Sequence, residues 1–184
     1  MSDAGSAPRS SQGASAGPDG GGDGEERVPL RIGDPAPDFD LAGIDGRTGE
    51  EGRWRRSDLL GAPLVVAFYP ADDTPVCTAQ LREYTAGVGS LDRVGARIVA
   101  ISPQGVESHR RFAAANDGFA FPLLCDTDKA VGRAWGILGF QDLYRRSTFV
   151  VDADGMVRYA HRFVGPGTGF KPLEELVTAV LDTL

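Results

Sequence analysis

Three short apolar runs constrain this chain most: Leu64–Phe68 (LVVAF), Arg97–Ile101 (RIVAI) and Thr148–Val151 (TFVV). Each has the length of a strand, and none alternates apolar with polar residues as a strand with one wet face would. Near-continuous β-branched runs belong to strands covered on both sides, so they predict a central sheet sandwiched by helices. The segments between them supply those helices. Helical patterns run over Pro75 to about Leu91, Val106 to Ala115 and Asp128 to Trp135. A fourth runs from Pro172 to Leu184, where Leu173, Leu176, Val177, Val180, Leu181 and Leu184 line one face. Asp152-Ala153-Asp154-Gly155 reads as a hairpin turn with Gly155 at positive φ. An earlier hairpin, an N-terminal extension of the sheet, turns at Asp45-Gly46. The fold class expected is α/β, a central mixed sheet flanked by helices.

Residues 1–27 contain seven Gly, five Ser and four Ala, and after Met1 no apolar side chain larger than Ala apart from two Pro. Such a segment cannot bury enough surface to offset the entropy of ordering it, so a disordered tail is expected there and a single folded domain over residues 28–184. A net charge of −7 with no basic cluster excludes a phosphate-backbone binder, which needs cations to release counterions. The longest strongly apolar stretch, Leu64–Phe68, is far short of the ~20 residues that span a bilayer, so no membrane association is expected. The first residues lack a basic region and an apolar stretch, so a cytoplasmic protein is expected. Two Cys and two His with no close pairing lack the ligand spacing of a structural zinc site, and neither a metal nor an organic cofactor is expected.

The stretch Ala67–Tyr84, AFYPADDTPVCTAQLREY, carries the chemistry. Thr74 suits an N-cap and Pro75 the first helical position, which places Cys77 in a first helical turn. Free N–H groups and the positive end of the helix dipole favour a thiolate there; a cysteine so placed can fall from about 8.5 into the ~3.5–7.5 range.

Pro70, Thr74 and Cys77 reproduce the spacing P-x-x-x-T-x-x-C directly after the strand LVVAFY, and Arg146 stands in RRSTFVVD. With GDPAPDFDL near the start, FPLLCDTDKAVGRAWGI and TFVVDADGMVRY, the chain over roughly residues 31–184 resembles the peroxiredoxins, in their bacterioferritin-comigratory (Q-type) and E-type subgroup. The resemblance implies a thioredoxin-like fold and the reduction of hydroperoxides by a cysteine thiolate. It makes Cys77 the peroxidatic nucleophile, with Arg146 favouring the thiolate and donating to the peroxide. Thr74 would donate to the incoming oxygen, and Pro70 would roof the sulfur.

Magnitudes rank these effects. A thiol of pKa about 8.5 is already a few per cent ionised near neutrality, so complete ionisation gains only ~15- to 30-fold, about 2 kcal/mol. Donors aimed at a transition state are worth ~10²–10³ each. Arg146 and Thr74 are therefore expected to act mainly by polarising the peroxide.

Oxidation leaves a sulfenic acid that a second thiol must reduce. Arg82 occupies the position five residues on where many Q-type relatives carry a resolving cysteine, and the helix Val106–Ala115 has none. Cys125 is read first as a small apolar side chain in a strand rather than as a resolving thiol. A one-cysteine cycle with an external thiol follows: thioredoxin, a glutaredoxin-like protein or a low-molecular-weight thiol, acting on a monomer or homodimer. The alternatives are a redox-sensing thiol-transfer protein that signals through Cys77, and a cysteine hydrolase pairing Cys77 with His109 or His161.

The remaining features have plain readings. His109 in SHRRF is read as solvent-facing, and His161 as a surface or hydrogen-bonded strand residue. Asp72 and Asp73 favour the helix dipole. Trp54 and Trp135 are packing residues, Trp135 with some prospect of a subunit contact. Gly165–Gly169 is a flexible loop, and Asp126-Thr127-Asp128 caps the helix that follows.

Overall fold

The computed structural model describes residues 29–163 and 169–184, so the tail expected over residues 1–27 and most of the loop Gly165–Gly169 lie outside the described residues. Among the described residues seven strands form one sheet: β1 (Asp40–Ile44), β2 (Glu51–Arg55), β3 (Leu64–Phe68), β4 (Arg97–Ser102), β5 (Leu123–Cys125), β6 (Ser147–Val151) and β7 (Val157–Arg162). Their spatial order is β2-β1-β5-β4-β3-β6-β7, with β3, β4 and β5 mutually parallel and every other pairing antiparallel. The helices are α1 (Pro75–Arg93), α2 (Val106–Ala114), α3 (Ala130–Ala134) and α4 (Leu173–Leu181).

The three apolar runs are the inner strands, and every residue of β3 and β6 is buried. Successive β3 side chains alternate between two cores, as a period of two requires. Val65 and Ala67 face the core built with Leu81, Tyr84 and Leu91 of α1, Phe112 of α2 and Leu176 of α4. Leu64, Val66 and Phe68 face the second core, built with Trp135, Phe149 and Val157. Trp135 is wholly enclosed, its ring centroid 5.3 Å from Phe68 and 5.0 Å from Phe149. It packs as expected and has no exposed surface to offer a subunit. Trp135→Ala is expected to cost about 3–5 kcal/mol through the cavity it leaves, read from the urea unfolding midpoint.

Turn chemistry holds the ends. Gly155, at φ +87°, closes the β6–β7 hairpin, whose turn is tied by the Asp152 carboxylate accepting the amides of Asp154 (3.0 Å) and Met156 (2.8 Å). Gly95, at φ +69°, ends α1 in the left-handed conformation common just past a helix. The β1–β2 connection is a longer turn than Asp45-Gly46 alone: it runs to Glu50, with the Asp45 carboxylate accepting the amides of Arg47 and Thr48, both at 2.9 Å. Asp126, fully buried, accepts the amides of Val131 and Gly132 at the start of α3, the capping role expected of that segment.

Candidate active site

The segment Tyr69–Thr74 leaves the C-terminal end of β3 and enters α1. Thr74 has extended backbone at the N-cap and Pro75 follows at the first helical position. The Thr74 hydroxyl makes no cap bond; it donates to the Ala71 carbonyl at 3.3 Å and so tightens the loop. Pro70 and Thr74 are half-buried, and Cys77 in the first turn is fully enclosed. Antiparallel pairing of β6 with β3 sets Ser147 opposite Phe68, which carries the preceding Arg146 to the same end of the sheet.

Arg146 and Cys77 meet there. Arg146 Nη2 donates to Cys77 Sγ at 3.3 Å, and Nη1 donates to Gln80 Oε1. Gln80 lies one turn beyond Cys77 on α1, and its Nε2 donates to the Tyr84 hydroxyl at 3.4 Å. Tyr84 in turn donates to the Lys171 carbonyl at 2.7 Å. Burial above all holds the Tyr84 phenol un-ionised, with its pKa pushed up to about 12. Gln80 and Tyr84 had no assigned role in the sequence reading. Their spacing from Cys77, i+3 and i+7, was the available signal, because residues so spaced share a helix face.

A second polar cluster lies beneath the loop. Asp72 Oδ2 is 2.9 Å from His109 Nδ1 and accepts the Ser108 hydroxyl at 2.7 Å, while Oδ1 accepts the Tyr69 hydroxyl at 2.9 Å. His109 is therefore not solvent-facing: its side chain is 0% exposed and that of Asp72 3%. His109, Phe112 and Ala113 form the buried face of α2, and the charged neighbours in SHRRF concealed that spacing. Asp72 likewise turns into the fold rather than serving only the helix dipole, while Asp73 beside it is exposed at φ +57°. Burial works against a charged His109, but Asp72, with the Cys125 thiol beside the ring, outweighs it and raises the imidazole to about 9. Burial also opposes the Asp72 carboxylate, yet His109, Ser108 and Tyr69 hold it below the ordinary carboxylate value.

The pH dependence follows from these directions. With a folded pKa of about 9 against about 6.5 unfolded, the stabilisation from His109 is complete below pH ~6.5 and is lost as pH climbs through about 9. That from Asp72 is present above the carboxylate range and is lost as pH falls through its depressed value. Urea unfolding of wild type and His109→Gln between about pH 6 and 10 is expected to show a stability gap that closes on the alkaline side.

The other candidates named from the sequence make no hydrogen bond to Cys77 or Arg146 among the described residues. Cys125, half-buried at the end of β5 and paired with Ser102, is a free thiol beside His109. His161, on β7, is half-buried against Phe163 and its Nε2 has no hydrogen-bond partner among the described residues, so of the two expectations, surface or hydrogen-bonded, the second is not met. Among the described residues no group of His, Cys, Asp and Glu could hold a metal ion, and no helix is long and apolar enough to cross a membrane.

Residues 32–160 match the AhpC/TSA family. The chain is 36% identical over 143 residues to peroxiredoxin Bcp of Xanthomonas campestris pv. campestris, covering 71% of this chain and 83% of that protein. It is 34% identical over 131 residues to chloroplastic peroxiredoxin Q of Oryza sativa subsp. japonica, covering 70% of this chain and 58% of that protein. The solved structure of the Xanthomonas campestris bacterioferritin comigratory protein, described for its alkyl peroxide reduction activity, superposes with a TM-score of 0.67 at 30% identity, over 83% of this chain and 96% of that one.

Proposed function

The chain belongs to the AhpC/TSA family, in the bacterioferritin-comigratory/Q-type peroxiredoxin group with its thioredoxin-like fold, and is a thiol-dependent peroxidase; we propose that Cys77 is its peroxidatic nucleophile in a one-cysteine cycle. The observation that carries this reading is the guanidinium nitrogen of Arg146, 3.3 Å from the Cys77 sulfur at the first turn of α1.

In the first step the Cys77 thiolate attacks one peroxide oxygen. The S–O bond forms as the O–O bond breaks; sulfur loses two electrons and the peroxide gains them. The departing hydroxide or alkoxide takes a proton and leaves as water or alcohol, and Cys77 becomes a sulfenic acid. Arg146 donates toward the oxygens as charge moves onto the leaving one, the arrangement that counts most when donors are preorganised. Gln80 occupies the second arm of the guanidinium and so fixes its plane. Thr74 turns its hydroxyl from the Ala71 carbonyl toward substrate, and Pro70 shields the sulfur from water. An external thiol then attacks the sulfenic sulfur and expels water, and a second thiol reduces the mixed disulfide.

Domain organisation and setting belong to the same reading: one peroxidase domain over residues 28–184 preceded by a tail, working in the cytoplasm as a monomer or homodimer. Thioredoxin, a glutaredoxin-like protein or a small thiol serves as reductant. Two free cysteines suit a reducing compartment.

Stopped-flow oxidation of the reduced protein with hydrogen peroxide and with an organic hydroperoxide tests the cycle. The expected product is a sulfenic acid at Cys77 that small thiols reduce with turnover. A Cys77–Cys125 disulfide found by peptide mass spectrometry after one equivalent of peroxide would replace the one-cysteine cycle with an intramolecular one.

A further inference from the structure

We propose that the buried Asp72–His109 ion pair is a positioning device for peroxide reduction, holding the Tyr69–Thr74 loop in the one shape that presents Thr74 and the first turn of α1 to the peroxide. The inference builds on the assignment of Cys77 as nucleophile. Neither residue contacts the sulfur through a hydrogen bond, so both act through the loop.

The hydrogen-bond pattern favours one charge state. His109 Nε2 faces the Leu124 carbonyl at 3.2 Å, which can only accept, so that nitrogen carries a proton. Nδ1 faces the Asp72 carboxylate at 2.9 Å. The Tyr69 and Ser108 hydroxyls also donate to that carboxylate, which favours its ionised, acceptor-only form and so the proton shared with the ring on Nδ1. The ring is an imidazolium and the pair an enclosed salt bridge.

Stability alone does not explain such a pair. Two charges taken out of water repay their desolvation only with excellent geometry, and apolar residues of similar volume often do as well or better. What the pair supplies is definition. Asp72 is tied at both ends: its carboxylate to α2 and Tyr69, and its amide to Gln104 Oε1 at 3.3 Å, itself held by the Ser102 hydroxyl at 2.9 Å. The next residue, Asp73, sits at φ +57°, a conformation that is strained for a non-glycine residue and persists where its surroundings over-determine it. That kink turns the chain from β3 into the Thr74 N-cap. A misplacement of ~1 Å at such a site can cost ~10²-fold in rate.

The test compares two reactions of the same sulfur in the full-length protein. Asp72→Asn, His109→Gln and the double variant are oxidised by hydrogen peroxide under stopped flow, and Cys77 alkylation by iodoacetamide is followed by peptide mass. Alkylation needs the thiolate but not the peroxide donors. Each single variant is expected to lose roughly 10- to 100-fold in peroxide rate while alkylation stays within about 3-fold, and the double variant to be no slower than the worse single one. Unchanged peroxide rates in folded variants, or peroxide and alkylation rates falling together, would overturn the inference. Cys77→Ser run in parallel keeps the two claims apart: if it still consumes peroxide, the nucleophile assignment is at fault.

If the variants do not fold, wild type serves. The titratable groups facing His109 are Asp72 and Tyr69 from the loop and Cys125 from β5. Raising pH through about 9 should lower the ratio of peroxide rate to alkylation rate as the imidazolium deprotonates, and a flat ratio would reject the proposal.

Discussion

Cys77→Ser is expected to abolish peroxide reduction, with a loss of at least ~10³ in the second-order rate constant, since a serine hydroxyl is hardly ionised near neutrality and is a weak nucleophile unless a base activates it. No histidine is hydrogen-bonded to residue 77 among the described residues; its polar neighbour is the Arg146 guanidinium, which cannot accept a proton. Cys125→Ser, by contrast, should leave the first oxidation and the turnover with an external thiol within about 2-fold of wild type. Loss of turnover without loss of the first oxidation in Cys125→Ser would instead make Cys125 the resolving thiol. The measurement is stopped-flow consumption of hydrogen peroxide with reduced protein, followed by steady-state turnover with excess thiol.

Arg146→Ala should be the most damaging change that leaves the nucleophile in place, slowing peroxide reduction by ~10²–10³-fold. Ionisation alone cannot account for a loss of that size, because converting a full thiolate to a few per cent of one costs only ~15- to 30-fold. The two effects separate experimentally: titrate the Cys77 thiolate of the variant, and compare its peroxide rate at a pH where that thiol is fully ionised. A rate restored to wild type there would reduce Arg146 to a thiolate stabiliser and remove it from the transition state. Arg146→Lys should recover only part of the loss, since an ammonium cannot hold Gln80 and the sulfur from two arms of a rigid fork at once.

Much of the architecture was legible from hydrophobic patterning. LVVAF marked β3 to the residue, and RIVAI and TFVV marked β4 and β6 to within one residue at an end. These strands are covered on both faces, so their polar residues are confined to the ends, Arg97 and Ser102 in β4 and Ser147 and Thr148 in β6, and the apolar runs between stay legible. Thr74-Pro75 located the start of α1 because N-cap and first-turn preferences are local. The turn at Asp45 was less well placed, since its length depends on which carbonyls and amides the Asp45 side chain and backbone bond.

Local chemistry, then, was encoded locally. A cysteine at a helix start, a proline and threonine at set spacing before it, and apolar runs of strand length can each be read from neighbours along the chain. What lay beyond such reading was every contact set by register and crossover. Arg146 reaches Cys77 across 69 positions because Ser147 pairs with Phe68, and His109 finds Asp72 because α2 packs its apolar face, histidine included, beneath the β3–α1 loop. A polar residue among charged neighbours reads as exposed until its partner is known. That partner lay 37 residues away, where only the folded sheet brings the two together.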